Sequence, residues 1–209
     1  MSGLLVVGAG GHGKVVADAA ERMDRWSRIA FLDDRYADVG AETEWPVLGP
    51  LSQASDFVTE YPSLVVAIGD NELRVRLFQE FAKQGFSLPC IVHPSAAVSR
   101  SVRLGRGCVV FAQAAINADS VVGTGGIINT GATVDHDCLL GEGVHLSPGV
   151  HLAGGVIIGD YSWIGIGASV IQGITMGDHV TVGAGAVVLR DVECGMTVAG
   201  VPARVLEAP

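Results

Sequence analysis

Reactive side chains are sparse in the second half of this 209-residue chain, and the few present lie close together. Asp135-His136-Asp137 is followed by His145, nine residues beyond His136, and then by His151. A histidine flanked by carboxylates can be held in one orientation and made more basic, as a general base requires. The plain alternative for a lone histidine is a solvated corner residue. Acids on both sides of His136, and His145 on a neighbouring segment, favour chemistry. Three histidines also raise a zinc site, yet no HxH or HxxxH pair occurs among them. Neither a GxSxG nucleophile turn nor a cysteine in an electropositive setting is present.

A second cluster opens the chain. Gly8, Gly10 and Gly13 satisfy GxGxxG directly after an apolar run, and Asp33 follows some twenty residues later. This is the pattern of a dinucleotide-binding turn. Only three strand-like runs precede residue 91, so no second mononucleotide half is available for a nicotinamide. The same stretch reads GxxxxGK from Gly8 to Lys14, but Val15 replaces the hydroxyl residue that would hold Mg²⁺ in a P-loop. What remains is a pocket of glycine amides at a helix N-terminus, suited to an anion such as a pyrophosphate. The alternative is that the glycines only make a tight turn.

These residues need elements to position them. From Val92 to Val188, seventeen positions spaced six apart are all aliphatic, without an insertion. A period of six fits neither an α-helix nor an alternating strand. It predicts a hexapeptide-repeat β-helix, with one short strand per repeat and three repeats per triangular coil. Four residues after each such position stands a small or aliphatic residue (Ala96, Val102, Cys108 and onward to Val192), as a narrow interior requires. The residue directly after each aliphatic position is often Gly, Asn, Asp or Ser, which predicts positive-φ corners there. Residues 1–90 have a different pattern: strands at LLVV, IAFLDD and LVVAIGDN alternate with helices, the last with Leu73, Leu77, Phe78 and Phe81 on one face. The expected architecture is therefore a small Rossmann-like α/β domain (1–90) followed by a left-handed parallel β-helix (91–209).

Composition bounds the partners. The formal net charge of −9 argues against nucleic acid. No uncharged apolar run of 18 residues could span a membrane, and MSGLLVVGAGG lacks the basic region of a signal peptide. Cys108 and Cys138 fall on the inward register and read as core thiols in a reducing cytoplasm.

Several motifs, in order along nearly the whole chain, carry a family resemblance: GAGGHGKVVADAA, FLDD, VAIGDNELR, HPSA, INADS, INTGATVDHDC, GEGVHLSPGV, LAGGV and AGVPAR. Together they resemble the sugar-nucleotide acetyltransferases of the left-handed β-helix superfamily. The nearest in kind are N-acetyltransferases acting on UDP-4-amino-4,6-dideoxy-N-acetylglucosamine in the bacillosamine pathway and on GDP-perosamine. Sialic acid O-acetyltransferases are similar but more distant in role. The resemblance implies a homotrimer with sites between neighbouring β-helices, acetyl-CoA as donor, no metal, and a nucleotide-sugar held partly by the N-terminal domain. By the same resemblance His136 is the base and Asp137, where the family often has Glu, raises its basicity. His145 contacts the thioester end of acetyl-CoA, while Ile166 and Ala184 lie along the coenzyme groove, Ala184 replacing a Gly found in some members. Gly10, Gly11, His12, Asp33, Asp34 and Gly69 contact the nucleotide-sugar, and Asn129 helps to position the sugar. The implied reaction is acetylation of the amino group of a nucleotide-linked amino-dideoxy sugar for surface glycan synthesis. Sugar O-acetylation is the enzymatic rival, and a non-catalytic β-helix scaffold the rival from another class.

Overall fold

The structure, a computed structural model, describes residues 3–39 and 43–206. Its first part is a three-stranded parallel sheet of Gly3–Val7 (β1), Arg28–Leu32 (β2) and Ser63–Val66 (β3), in the order β2-β1-β3. Leu4, Leu5, Val6 and Val7 are all fully buried, because helices cover both faces of a parallel sheet. Gly11–Arg22 forms α1, Tyr36–Val39 a single turn, α2, and Asn71–Lys83 forms α3. The connection that contains Pro46 and Pro50 carries a 3₁₀ turn at Leu51–Phe57, and its Val47 bridges to Phe31. Asp70 caps α3, its carboxylate accepting the Leu73 N–H at 2.8 Å. Leu77, Phe78 and Phe81 are buried as their spacing predicts, with Leu73 partly buried beside them.

The second part is the β-helix. Seventeen two-residue strands run from β4 (Ile91–Val92) to β20 (Val187–Val188), each ending on one of the aliphatic positions. Every third strand pairs in parallel, giving three flat faces and coils of 18 residues, as in the pairing of Ile127 with His145. Ile127, His145, Trp163 and Thr181 point outward from the first face. Thr133, His151, Ser169 and Val187 do so from the second, and Val121, Leu139, Ile157 and Thr175 from the third. The inward register is buried from Cys108 to Val192. Thr197–Ala199 (β21) extends the first face and Arg204–Val205 (β22) folds back on it in antiparallel fashion.

The corners differ from the sequence expectation. From Leu104 to Val182, positive φ falls three residues after each aliphatic position, at Gly107, Gly125, Gly131, Gly143 and their equivalents, and not one residue after it. Glycines one residue after the aliphatic position serve close approach instead. A Cβ at Gly123 would lie 2.6 Å from the Gly141 backbone, and one at Gly141 2.8 Å from Asp160 N, each in the next coil. Corners of the prism therefore select glycine by coil-to-coil contact, which a single-strand reading of the repeat does not reveal.

The two parts meet along α3. Phe78 packs under Gly107 and Gly125, where any Cβ would strike its ring. Arg74, almost wholly buried, donates from Nε to the Gly125 carbonyl and from Nη2 to the Gly143 carbonyl, both at 2.8 Å. Its remaining donors reach Ile68 O, Gly69 O and Asn71 Oδ1. Asn71 Nδ2 donates to Tyr161 O at 2.8 Å, and Glu72 faces His179 at 3.3 Å. One helix end thus grips four successive coils.

Candidate active site

His136 sits on the edge between the second and third faces, two residues after Val134. Asp137 has φ 59, a left-handed conformation that Asp tolerates better than most residues. Its carboxylate Oδ2 lies 2.7 Å from His136 Nδ1. Asp135 Oδ1 accepts the His136 N–H at 2.9 Å and a hydrogen bond from Asn117 Nδ2 at 3.0 Å, which anchors the acid to the coil below. With Nδ1–H directed at Asp137, the Nε2 lone pair is left free. The hydrogen bond to Asp137, seconded by the charge of Asp135, raises the His136 pKa above the usual imidazole value. The ring lies against Gly154 in the next coil, where a Cβ would come within 2.7 Å of Nε2.

His145, on β13 (His145–Leu146), belongs to the same 18-residue coil but to the first face. Nine residues are half a coil, so His136 and His145 stand on opposite sides of one prism rather than on neighbouring segments. His145 faces the N-terminal unit instead: its ring is 6.3 Å from that of His12, and Asn129 Nδ2 is 3.4 Å from its Nε2. Burial, with the nearby Arg74 cation second, depresses His12 to about 4; burial, then Arg74 and His12, depresses His145 to about 3. Both are neutral imidazoles at pH 7, and His12 Nε2 is buried without a hydrogen-bond partner. His151 stands on the second face with Thr133 Oγ1 2.9 Å from its Nδ1. The three histidines lie on separate sides, so they cannot share a zinc ion. Among the described residues no group of histidine, cysteine and acid could hold a metal.

Beside His12 opens a cavity of about 540 Å³ lined by Gly10, Gly11, Asp33, Asp34 and Gly69, with Arg35 and Leu51 at the side. The fingerprint glycines divide by role. Gly8 has φ 100, and a Cβ on Gly13 would be 1.9 Å from Gly8 O, so these two shape the turn. Gly10, Gly11 and Gly69 have no atoms near their would-be Cβ positions and leave the cavity open. Asp33 is buried and occupied, accepting Ala9 N–H at 2.9 Å and Arg35 N–H at 2.8 Å. Asp34 is exposed and uses one oxygen on Leu51 N–H at 3.0 Å, which frees the other for a ligand.

Ile166 and Ala184 stack one coil apart on the edge between the first and second faces, linked by Gly185 N–H to Ile166 O at 2.8 Å. Ile166 is 55 % exposed although apolar, and Asn129 lies on the same edge lower down. Sequence reasoning missed Arg74, Arg35 and Gly154. A charge within the apolar stripe of α3 was the available signal for Arg74; Gly154 has none, since its role exists only between coils.

A cavity on an α/β unit, joined to a β-helix of hexapeptide repeats carrying an exposed Asp-His pair, is the architecture of a hexapeptide-repeat acyltransferase. Residues 3–81 match the family described as PglD N-terminal domain, and 155–190 match bacterial transferase hexapeptide (six repeats). The UDP-N-acetylbacillosamine N-acetyltransferase of Bacillus subtilis (strain 168) is 36% identical over 109 residues, 51% of this chain; the match spans only about half, 50%, of that protein. The acetyltransferase domain of PglB from Neisseria gonorrhoeae FA1090 is 46% identical with a TM-score of 0.94, covering 99% of this chain and 100% of that one, and it has also been solved with acetyl coenzyme A. PerB from Caulobacter crescentus, in complex with CoA and GDP-perosamine, is 44% identical with a TM-score of 0.92, covering 99% of this chain and 98% of that one. The chain belongs to this family of hexapeptide-repeat sugar-nucleotide N-acetyltransferases.

Proposed function

We propose that this protein transfers the acetyl group of acetyl-CoA to the amine of a nucleotide-linked amino-dideoxy sugar, of the UDP-4-amino-4,6-dideoxy-N-acetylglucosamine or GDP-perosamine type. The open cavity at Gly10, Gly11 and Gly69 takes the diphosphate, with the N-terminus of α1 and Arg35 supplying positive potential. Asp34 accepts from the base or ribose. His136 Nε2 removes the proton from the attacking amine, Asp137 stabilises the imidazolium that forms, and a backbone amide holds the oxyanion of the tetrahedral intermediate. Collapse of that intermediate breaks the carbon–sulfur bond, and the departing sulfur takes the proton from the His136 imidazolium, so CoA leaves as the free thiol and the base is regenerated. An amine acceptor is favoured over a sugar hydroxyl because the Caulobacter crescentus relative solved with CoA and GDP-perosamine is a GDP-perosamine N-acetyl transferase, and the Bacillus subtilis relative is likewise an N-acetyltransferase.

The observation that carries the reading is the half-coil separation of His136 from His145 and the cavity. A base on one side of the prism cannot serve an acceptor held on the other, so the working site takes His136 from one protomer and the cavity from its neighbour. A homotrimer supplies this arrangement three times by symmetry. One wall of the donor groove is then the edge with His136, and the other is the neighbour's edge with Ile166 and Ala184. The four free cysteines fit the reducing cytoplasm, where such a donor and acceptor would meet. The test is thiol release from acetyl-CoA across a panel of UDP-, GDP- and dTDP-linked amino sugars. Release with one amino-sugar nucleotide and none with its hydroxy counterpart is expected; release only with sugar hydroxyls would overturn it.

A further inference from the structure

Two of the four cysteines are brought together by the 18-residue coil, although the sequence sets them well apart. Ile91–Val92 (β4) pairs in parallel with Val109–Val110 (β7), so the residues just before them, Cys90 and Cys108, stack one coil apart. The Ile91 N–H donates to Cys108 O at 2.9 Å, which fixes that register. Both side chains turn into the prism in the same way. Cys90 Sγ donates to Gly105 O at 3.0 Å and Cys108 Sγ to Gly123 O at 3.1 Å, acceptors that are themselves one coil apart. The two thiols lie within hydrogen-bonding reach of each other. The column continues with Gly126 and Val144, whereas Cys138 belongs to another column, with Ser120 and Val156.

Stacked strands hold their Cα atoms about 4.8 Å apart, inside the window of about 4.4–6.8 Å that a disulfide spans. Parallel side chains keep the Cβ atoms at that same spacing, a little beyond the usual Cβ separation of about 3.8 Å. β4 ends its sheet, so Cys90 can make the small approach without displacing a further coil. A bond closed at that spacing is one that free thiols reduce readily. The two sulfurs also differ in reactivity. Cys90 is half-buried, and donation from the Cys108 thiol to its thiolate lowers its pKa to about 7, against the opposing effect of burial. Contact with Cys90, then burial, pushes the enclosed Cys108 thiol well up.

We propose that Cys90 and Cys108 form a reversible modification site for small-molecule disulfides, closing to a cystine that ties the interdomain link to the first coil. The Cys90 thiolate attacks one sulfur of the small disulfide, whose S–S bond breaks. The first small thiolate leaves and takes up the proton that Cys90 gave to solvent. Cys108 then attacks Cys90 Sγ in the mixed disulfide, and its proton goes to the second departing thiolate. The protein loses two hydrogens, and the small disulfide becomes two thiols. Cys90 follows Leu88 and Pro89, and Leu88 O accepts the Gly107 N–H at 3.3 Å where Phe78 packs. The cystine therefore fastens the joint between the two parts without touching the His136 corner.

The test uses the Cys194→Ser protein, in which the exposed thiol no longer competes. Incubating it, folded, with oxidised glutathione should remove two of the three thiols that remain. Mass spectrometry of its peptides should show Cys90 joined to Cys108 and Cys138 free, and dithiothreitol should restore both thiols. With Cys108→Ser added, Cys90 should instead carry glutathione as a lasting mixed disulfide. With Cys90→Ser added, Cys108 should stay a free thiol. Retention of all three thiols in the folded protein, or a glutathione adduct on Cys90 that persists while Cys108 is present, would overturn the site. So would an unmodified Cys90 in Cys108→Ser, or modification of Cys108 in Cys90→Ser. The first measurement needs neither added variant, so it decides the matter even where one of them fails to fold.

Discussion

The Asp137–His136 contact gives the proposed base a tunable proton affinity. Because its pKa is raised, His136 is protonated and idle below that value, so kcat/KM should climb as pH rises through it. Asp137→Asn removes the leading cause of the shift, and the rising limb should move to lower pH while kcat falls modestly. A pH–rate profile of both proteins checks this, and an unmoved limb would separate the observed titration from His136. His136→Ala should lower kcat by a factor on the order of 10²–10⁴ with the fold intact, since the side chain is exposed. Gly154→Ala tests position rather than chemistry. Its methyl would displace the imidazole ring, and kcat should fall on the order of ten- to a hundredfold with CoA binding near normal.

Among the elements, α3 carries the junction. Among the described residues Arg74 forms no ion pair; burial lowers its pKa to about 10, against the opposing pull of the more distant Asp70, and carbonyls take its donors. Such a cation is stable only while every donor is met. Arg74→Met should cost about 2–4 kcal/mol, because the carbonyls of Gly125 and Gly143 lose a charged partner in a dry interface. Arg74→Lys should recover little, since one ammonium cannot reach the carbonyls on both sides. Thermal unfolding measures both, and a melting temperature near wild type in Arg74→Met would show that Phe78 packing alone holds the junction. The N-terminal glycines follow the same logic. Gly13 and Gly8 are fixed by backbone approach, so their substitution harms folding, whereas Gly11 faces an open cavity and its substitution harms only what binds there.

At the scale of the whole molecule, a shared site makes a prediction that a self-contained one does not. Gly11→Val, which fills the proposed acceptor cavity, and His136→Ala, which removes the proposed base, should each be nearly inactive alone. Co-expressed in equal amounts they should regain about a quarter of wild-type activity, because random trimers place an intact cavity against an intact base at that frequency. No recovery in mixed trimers, verified by mass, would put both halves of the site in one protomer.

The repeat architecture was legible in the residues because a six-residue period leaves the inward positions no choice: each must be aliphatic or small to fill a narrow prism. The α/β unit was equally plain, since buried parallel strands and an amphipathic helix impose their own periods. His136 and Asp137 could be singled out because adjacent residues interact wherever the chain runs. Other features lay outside any local pattern. The glycines after each aliphatic residue looked like left-handed corners, but their constraint comes from the coil 18 residues on. Asp33 stands in the cavity wall as the fingerprint spacing predicts, but only the fold shows that the backbone amides of Ala9 and Arg35 hold its carboxylate there. His136 and His145 looked like neighbours, yet the 18-residue coil turns nine residues into half a revolution. Sequence fixes what each residue can pair with along its own strand or helix; packing between coils and between domains decides which partner it meets, because those contacts join residues whose separation only the fold defines.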